Sequence, residues 1–457
     1  MSRAKRIAVL IACIAFSALC SLALRRSAGN VMLMSDFGEI YFGSRAALHG
    51  QDPYNPDSLW NYELKQLATE GLKLPANSAE AEMARIVLTM DRNLPTTLFL
   101  LIPVAVFPVA IAQYIWMFLL CGLLALAAFL VWDLGGAAAP DVWLLGAGFL
   151  LLNCQGLLVD GNAAGISVGL SVIAAWCFLR ERHQMIGALI LAVALAIKPH
   201  DAGLIWLYFL IAGGLLRKRA LQALAILAAL SLCAVLWIAR ASPQWIRHLH
   251  ANLAATAASG TLNNPALSAN ANNGAGQIVD LQTVLSIFWN HPLFYNLTTY
   301  FIVGTLIIVW ALAALRKRAT LEGAQFALAS ISALSMLPLY HRSNDAKLLL
   351  LAIPACAVLW TRKGATRWIA LALTSASIFF TADMPLAILG ELTRNLTSVP
   401  TTLTGKLVTI FLRRPTPLVL LATGCFYLWV YLRYSPRTES AAPDDAATNA
   451  LTAEAAT

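Results

Sequence analysis

Apolar residues fill this chain in long runs, and polar positions fall in short stretches between them. The runs lie near 7–24, 95–109, 112–132, 141–159, 162–179, 184–198, 200–216, 220–239, 296–315, 322–339, 346–361, 368–382 and 415–432. Within them the apolar residues do not keep to one helical face. A helix apolar all round has to be covered by lipid or by other helices. About 20 such residues cross a bilayer, so the pattern predicts an all-α polytopic membrane protein. Two polar stretches break the rule. In "DFGEIYFGSRAALH", Phe37, Ile40, Tyr41 and Leu48 recur at helical spacing. In "NSAEAEMARIVLTMDR", Met83, Ile86, Val87 and Met90 do the same, and Asn77 with Glu80 can form a capping box. Both read as amphipathic helices lying along the membrane surface.

Composition agrees. Of 457 residues, 59% are hydrophobic and 12% charged, against about 25% charged in soluble domains. The net charge of +9 does not point to nucleic acid, because the bases cluster in short loops: Arg180 and Arg182, Arg217–Arg219, Arg316–Arg318, and Arg362 with Lys363. This is the positive-inside signature. The eight cysteines all sit in apolar runs without a CxxC pair, so no disulfide framework is expected.

The basic "MSRAKR" start places the N-terminus in the cytoplasm of a plasma (inner) membrane protein, and the first apolar run reads as an uncleaved helix. Outside the membrane then lie residues 25–94, 240–295 and 383–414, with short tips near 160–162, 198–201 and 340–345. Between the first outer loop and Arg180 the crossings must be odd in number, yet four runs are present. The shortest, 95–109, carries Pro95, Pro103 and Pro108 and is assigned as re-entrant or half-length. About 12 crossings remain, with both termini inside. Residues 1–436 form one integral-membrane domain. The small, polar, acidic tail 437–457 is expected to be disordered.

Ionisable groups are costly near hydrocarbon, and here they gather at three outer tips. Asp36 and Glu39 open the first loop. Lys198, His200 and Asp201 interrupt an apolar hairpin. His341, Arg342, Asp345 and Lys347 follow a proline. A carboxylate facing cations suits a group transfer in which the acid takes a proton from a hydroxyl and the bases hold a departing phosphate. Asp36 as a helix cap, and Lys198 and Lys347 as snorkelling anchors, are the plainer readings.

"SDFGEIYFGSRAALHGQDPYNP" resembles the opening of glycosyltransferase family 87, through Asp36, Tyr41, Ala46, Leu48, Gly50 and Tyr54. "NLPTTLFLLIPVAVFP", "DGNAAGISVGL", "ALAIKPHDAGLIWL" and "LPLYHRSNDAKLLLL" are similar to later segments of that family, in the same order, and "SANANNGAGQ" sits where its members carry an Asn-rich piece. The resemblance covers residues 5–360 and departs at Asn162, where Gln is commoner. It implies a GT-C fold. It also implies transfer of a mannose- or arabinose-type sugar from a polyprenyl-phosphate donor to a lipid, glycan or protein hydroxyl, with inversion, on the outer face. By that resemblance Asp36 is the general base, and Lys198, His341 and Arg342 hold the donor phosphate. Glu39, Tyr41, Tyr54, Asn162, His200 and Asp345 are candidate substrate contacts, with Trp60 a further stacking candidate. There is no DxD, so no metal or other cofactor is expected. Two rivals are a secondary transporter, which also uses broken helices and buried charge, and a polysaccharide polymerase or ligase using a diphosphate-linked donor.

Overall fold

The computed structural model describes residues 1–27, 34–69, 85, 88–258, 263–265, 278–392 and 401–434. The capping box at Asn77 and Glu80, the Asn-rich stretch and the acidic tail lie outside these residues. The described chain is helical, with one isolated antiparallel bridge joining Ile278 to Arg342.

Among the described residues six helices are long and apolar enough to cross a membrane: Arg3–Arg25, Val109–Leu134, Pro140–Asp160, Gly214–Ala241, Pro292–Arg316 and Pro415–Arg433. A seventh crossing arises if Thr366–Phe380 and Asp383–Leu392, bent by 69° at their junction, are taken together. The other apolar runs form shorter helices, including Ala164–Leu179, Gln184–Ile197 and Leu321–Leu334. At 1.5 Å per residue, 14–16 residues reach about 21–24 Å, short of the roughly 30 Å hydrocarbon core. The 383–414 region, expected as an outer loop, contains the Asp383–Leu392 and Leu403–Arg413 helices. Apolar runs alone do not reveal where helices break.

The breaks have local causes. Lys198 precedes Pro199, and a residue before proline is pushed out of the helical region. It sits at φ −141°, ψ 90°. The break leaves carbonyls of the Gln184–Ile197 helix without their usual donors. Thr96 Oγ1 donates to the Ala196 carbonyl at 2.5 Å, and Thr97 Oγ1 to that of Ile197 at 3.0 Å. These threonines open the 11-residue helix Pro95–Ala105, which at about 16 Å is too short to cross by itself, as is the Ala164–Leu179 helix that the parity argument counted as a crossing. The Pro95–Ala105 helix packs against Ser35–Leu48, where Ser44 Oγ donates to the Leu98 carbonyl at 2.9 Å. The Ser35–Leu48 helix, expected to lie along the membrane surface, is instead buried over most of its length, because this packing covers its polar side as well as its apolar one, and it is thereby fixed over the Lys198 break.

A second break follows Leu152. Asn153 and Cys154 interrupt the Pro140–Asp160 span, and partners arrive from far along the chain. Lys347 Nζ donates to the Asn153 carbonyl at 2.7 Å, and the Gly156 amide donates to Asp383 Oδ2 at 2.9 Å. Lys347 is 1% exposed, so it is a buried strut where the sequence suggested a snorkelling anchor. The span ends at Gly161, with φ +66°. A Cβ there would lie 2.8 Å from Phe37 Cβ and 2.9 Å from Met34 Cβ. Gly161→Ala combines left-handed strain with a clash against the start of the Ser35–Leu48 helix. It should cost about 2 kcal/mol, read as a lower thermal midpoint of the detergent-solubilised protein.

Candidate functional site

Four segments meet where these breaks occur: the start of the Ser35–Leu48 helix, the turn at 160–162, the Lys198 break, and the stretch Leu339–Asp345. The last is held extended by the Val279 and Leu281 amides, which donate at 3.0 Å to the carbonyls of His341 and Leu337.

Asn162 joins the first three segments. Its Nδ2 donates to Asp36 Oδ2 at 2.5 Å, and its Oδ1 accepts from Lys198 Nζ at 3.4 Å and from the Ala164 amide at 2.8 Å. Two donors on Oδ1 and a carboxylate on the other side fix which end of the amide is nitrogen. Lys198 Nζ also donates to Asp345 Oδ1 at 2.7 Å, and the Arg342 amide donates to Asp345 Oδ2 at 2.8 Å. Burial opposes charge on Asp345, but Lys198, His341 and His200 prevail and hold its carboxyl below the usual range. Arg342 Nε donates to Tyr340 Oη, and its charge also acts on Asp36 and Asp160. Asp160 accepts from Ser35 Oγ at 3.4 Å.

Beside this chain of bonds, His341 Nε2 stands 3.5 Å from Asp201 Oδ1, and His200 Nε2 stands 3.8 Å from the same atom. Burial works against charge on His341, but Asp201 and Asp345 outweigh it and raise its pKa above the ordinary value.

Asp36, Asn162, Lys198, His200, His341, Arg342 and Asp345 are therefore brought together. Asp36 is half-buried, and its Oδ2 accepts from Asn162.

The remaining candidates sit differently. Glu39 Oε1 accepts from the Arg92 amide at 2.9 Å, Arg92 Nε at 3.2 Å and Asn93 Nδ2 at 3.1 Å, and Oε2 pairs with Arg92 Nη2 at 2.5 Å. With its side chain 3% exposed, Glu39 ties the first loop together and does not face the open side. Tyr41 and Tyr54 are fully buried, donating to the carbonyls of Phe107 and Asn93, each at 2.8 Å. Neither presents a ring face for a sugar. Asp91, Arg92, Asn93 and Glu63 were not legible as a group, because they meet only after the first loop folds back on itself.

Glu63 and Asp91 are fully buried, and among the described residues neither Glu63 oxygen nor Asp91 Oδ2 has a hydrogen-bond partner. Burial raises both carboxyls well above the ordinary range. Asp91 and Glu39 add to this at Glu63, and Glu39 adds at Asp91. An acid whose folded pKa is raised holds a proton that the unfolded chain releases. Its stabilising contribution is complete below about pH 4.3 and is lost as pH rises toward the folded value. Each such proton costs about 1.4 kcal/mol per pH unit across that window. Between pH 5 and 8 the thermal midpoint should fall with rising pH, and Glu63→Gln should flatten the slope and raise the midpoint at pH 8. A midpoint that climbs with pH in both proteins would contradict this.

No family model, curated protein or solved structure matches this chain.

Proposed function

We propose that the protein is a GT-C-type membrane glycosyltransferase of about twelve crossings that uses a polyprenyl-phosphate sugar on the extracytoplasmic face. The supporting observation is the Asn162 amide, which ties the half-buried Asp36 to the Lys198–Asp345 pair. One acid accessible to a hydroxyl thus lies one side chain away from a lysine and, through Asp345, from the Arg342 backbone.

In this reading Asp36 takes the proton of the acceptor hydroxyl as that oxygen bonds to the anomeric carbon. The bond from that carbon to the phosphate oxygen breaks, its electron pair leaves with the polyprenyl phosphate, and the configuration inverts. The departing phosphate gains negative charge, which Lys198 and Arg342 are placed to receive. Stabilisation by fixed cations takes the place of a general acid. Asn162 and Asp345 keep Lys198 in position. His341, 1% exposed, acts on the phosphate from behind the buried Asp201.

The broken helix at Lys198 and the buried charge pairs also fit a secondary transporter. Membranes carrying the protein, against membranes lacking it, are incubated with radiolabelled polyprenyl-phosphate mannose, arabinose and glucose and a lipid acceptor extract. New labelled product confined to membranes with the protein is the expected result. Uptake of a free labelled sugar or polar solute into sealed vesicles, with no new product, would replace this reading with transport.

A further inference from the structure

His200, Asp201 and His341 offer ligand atoms that all lie within 4.8 Å of one another. The edge of a tetrahedron around zinc with bonds of about 2.0–2.1 Å is about 3.3–3.4 Å. The 3.5 Å and 3.8 Å separations about Asp201 Oδ1 are close to it, and the edge between the two imidazoles, within 4.8 Å, closes as the rings turn onto the ion. His341 Nδ1 lies 3.0 Å from the Leu339 carbonyl, which can only accept. Nδ1 therefore carries a hydrogen, and in the neutral ring Nε2 presents its lone pair toward Asp201. A backbone carbonyl that fixes the tautomer in this way is the usual support of a metal-ligating histidine. His341 Nε2 and Asp201 Oδ2 are both buried and make no hydrogen bond among the described residues.

We propose that these three side chains bind one divalent transition metal of the zinc class. Two imidazoles and one carboxylate suit such an ion, whereas magnesium and calcium take oxygen ligands. The ligands stand on fixed elements. His200 and Asp201 occupy the first turn of Pro199–Ile211, and His341 is clamped by the Val279 amide.

Three protein ligands leave a fourth position open. It lies on the side of His200, whose side chain is 34% exposed while those of Asp201 and His341 are 1%. That position takes a phosphate oxygen, which gives the buried His341 its route to the donor. Only this use of the metal rests on the glycosyl-transfer reading; the site itself stands on geometry.

The full chain, purified in detergent, freed of any histidine tag and stripped with chelator, is titrated with cobalt(II) and followed by its visible absorption. Wild type should take one ion per chain, with the intense bands of tetrahedral coordination. His341→Gln and His200→Gln should each weaken binding by at least about 100-fold, while His183→Gln, remote from the cluster, binds as wild type does. Inorganic phosphate added to the cobalt-loaded wild type should shift the bands. No uptake by wild type, or equal uptake by both ligand variants, overturns the site and leaves a simple imidazolium–carboxylate pair. Bands unmoved by phosphate overturn the assignment of the open position. His200 is the more exposed ligand, so its variant still decides if His341→Gln fails to fold. No sugar transfer is read, so failure here is separate from failure of the glycosyltransferase reading.

Discussion

Asp36→Asn should lower sugar transfer by about 10³-fold, or about 4 kcal/mol of transition-state stabilisation, at unchanged protein level. The substituted amide keeps an oxygen to accept from Asn162 Nδ2, so the bond at 2.5 Å and the docking of the Ser35–Leu48 helix persist. What is lost is the capacity to take a proton. The loss should appear in kcat, with donor KM little changed, because Lys198 and Arg342 still receive the phosphate. Asp36→Glu retains the carboxylate but displaces it by one methylene, and should fall between the two. Single-turnover transfer from a labelled donor measures all three. Transfer by Asp36→Asn within a few fold of wild type would remove Asp36 as the base. Glu39 would be a poor substitute, since Arg92 and Asn93 already bond both its oxygens.

Arg92→Leu should destabilise the protein by about 3 kcal/mol, through a charge left without its partner. Glu39 is buried and loses the bonds from Arg92 Nε and Nη2, so Oε2 has none, while the backbone amide and Asn93 still serve Oε1. Breaking a buried ion pair from one side costs about 3–5 kcal/mol. The lower end applies because the Arg92 side chain is 24% exposed, so water can reach the orphaned carboxylate. Glu39→Leu combined with Arg92→Leu should recover most of the loss, since an apolar pair of matching volume is often neutral. Thermal melts of the three variants in one detergent form the cycle. A double variant as unstable as Arg92→Leu would mean that the arginine contributes packing and not charge.

The helical, membrane-spanning character of the chain was legible because it follows from apolar runs, a local property. The clustering of Asp36, Lys198 and His341 was approachable too, since positive-inside bookkeeping sorts loops by side without knowing any contact. Crossing number was harder. Pro199 could be seen to end one helix, but nothing local in "LLLNCQG" said that Lys347 and Asp383 would come to fill the Asn153–Cys154 break. Glu39 follows Asp36 by one helical turn and so shares its side of the helix, yet its carboxylate is committed to Arg92. Tyr54 lies beyond the end of that helix. The site was readable where it joins segments end to end, and unreadable where it depends on which distant residue a side chain meets.

Replacing the Asn162 amide by a carboxylate would reverse what Asp36 meets. Deamidation would exchange one NH2 for an oxygen and leave the Gly161 turn and the apolar packing as they were. Asp36 would then meet a second carboxylate at the distance where it had met a donor. Two acids that close cannot both stay ionised, so they would share a proton. On the glycosyl-transfer reading the base would then be occupied before any acceptor arrived, and a molecule so changed would be folded but inactive, with a mass measurement of that one peptide naming the cause.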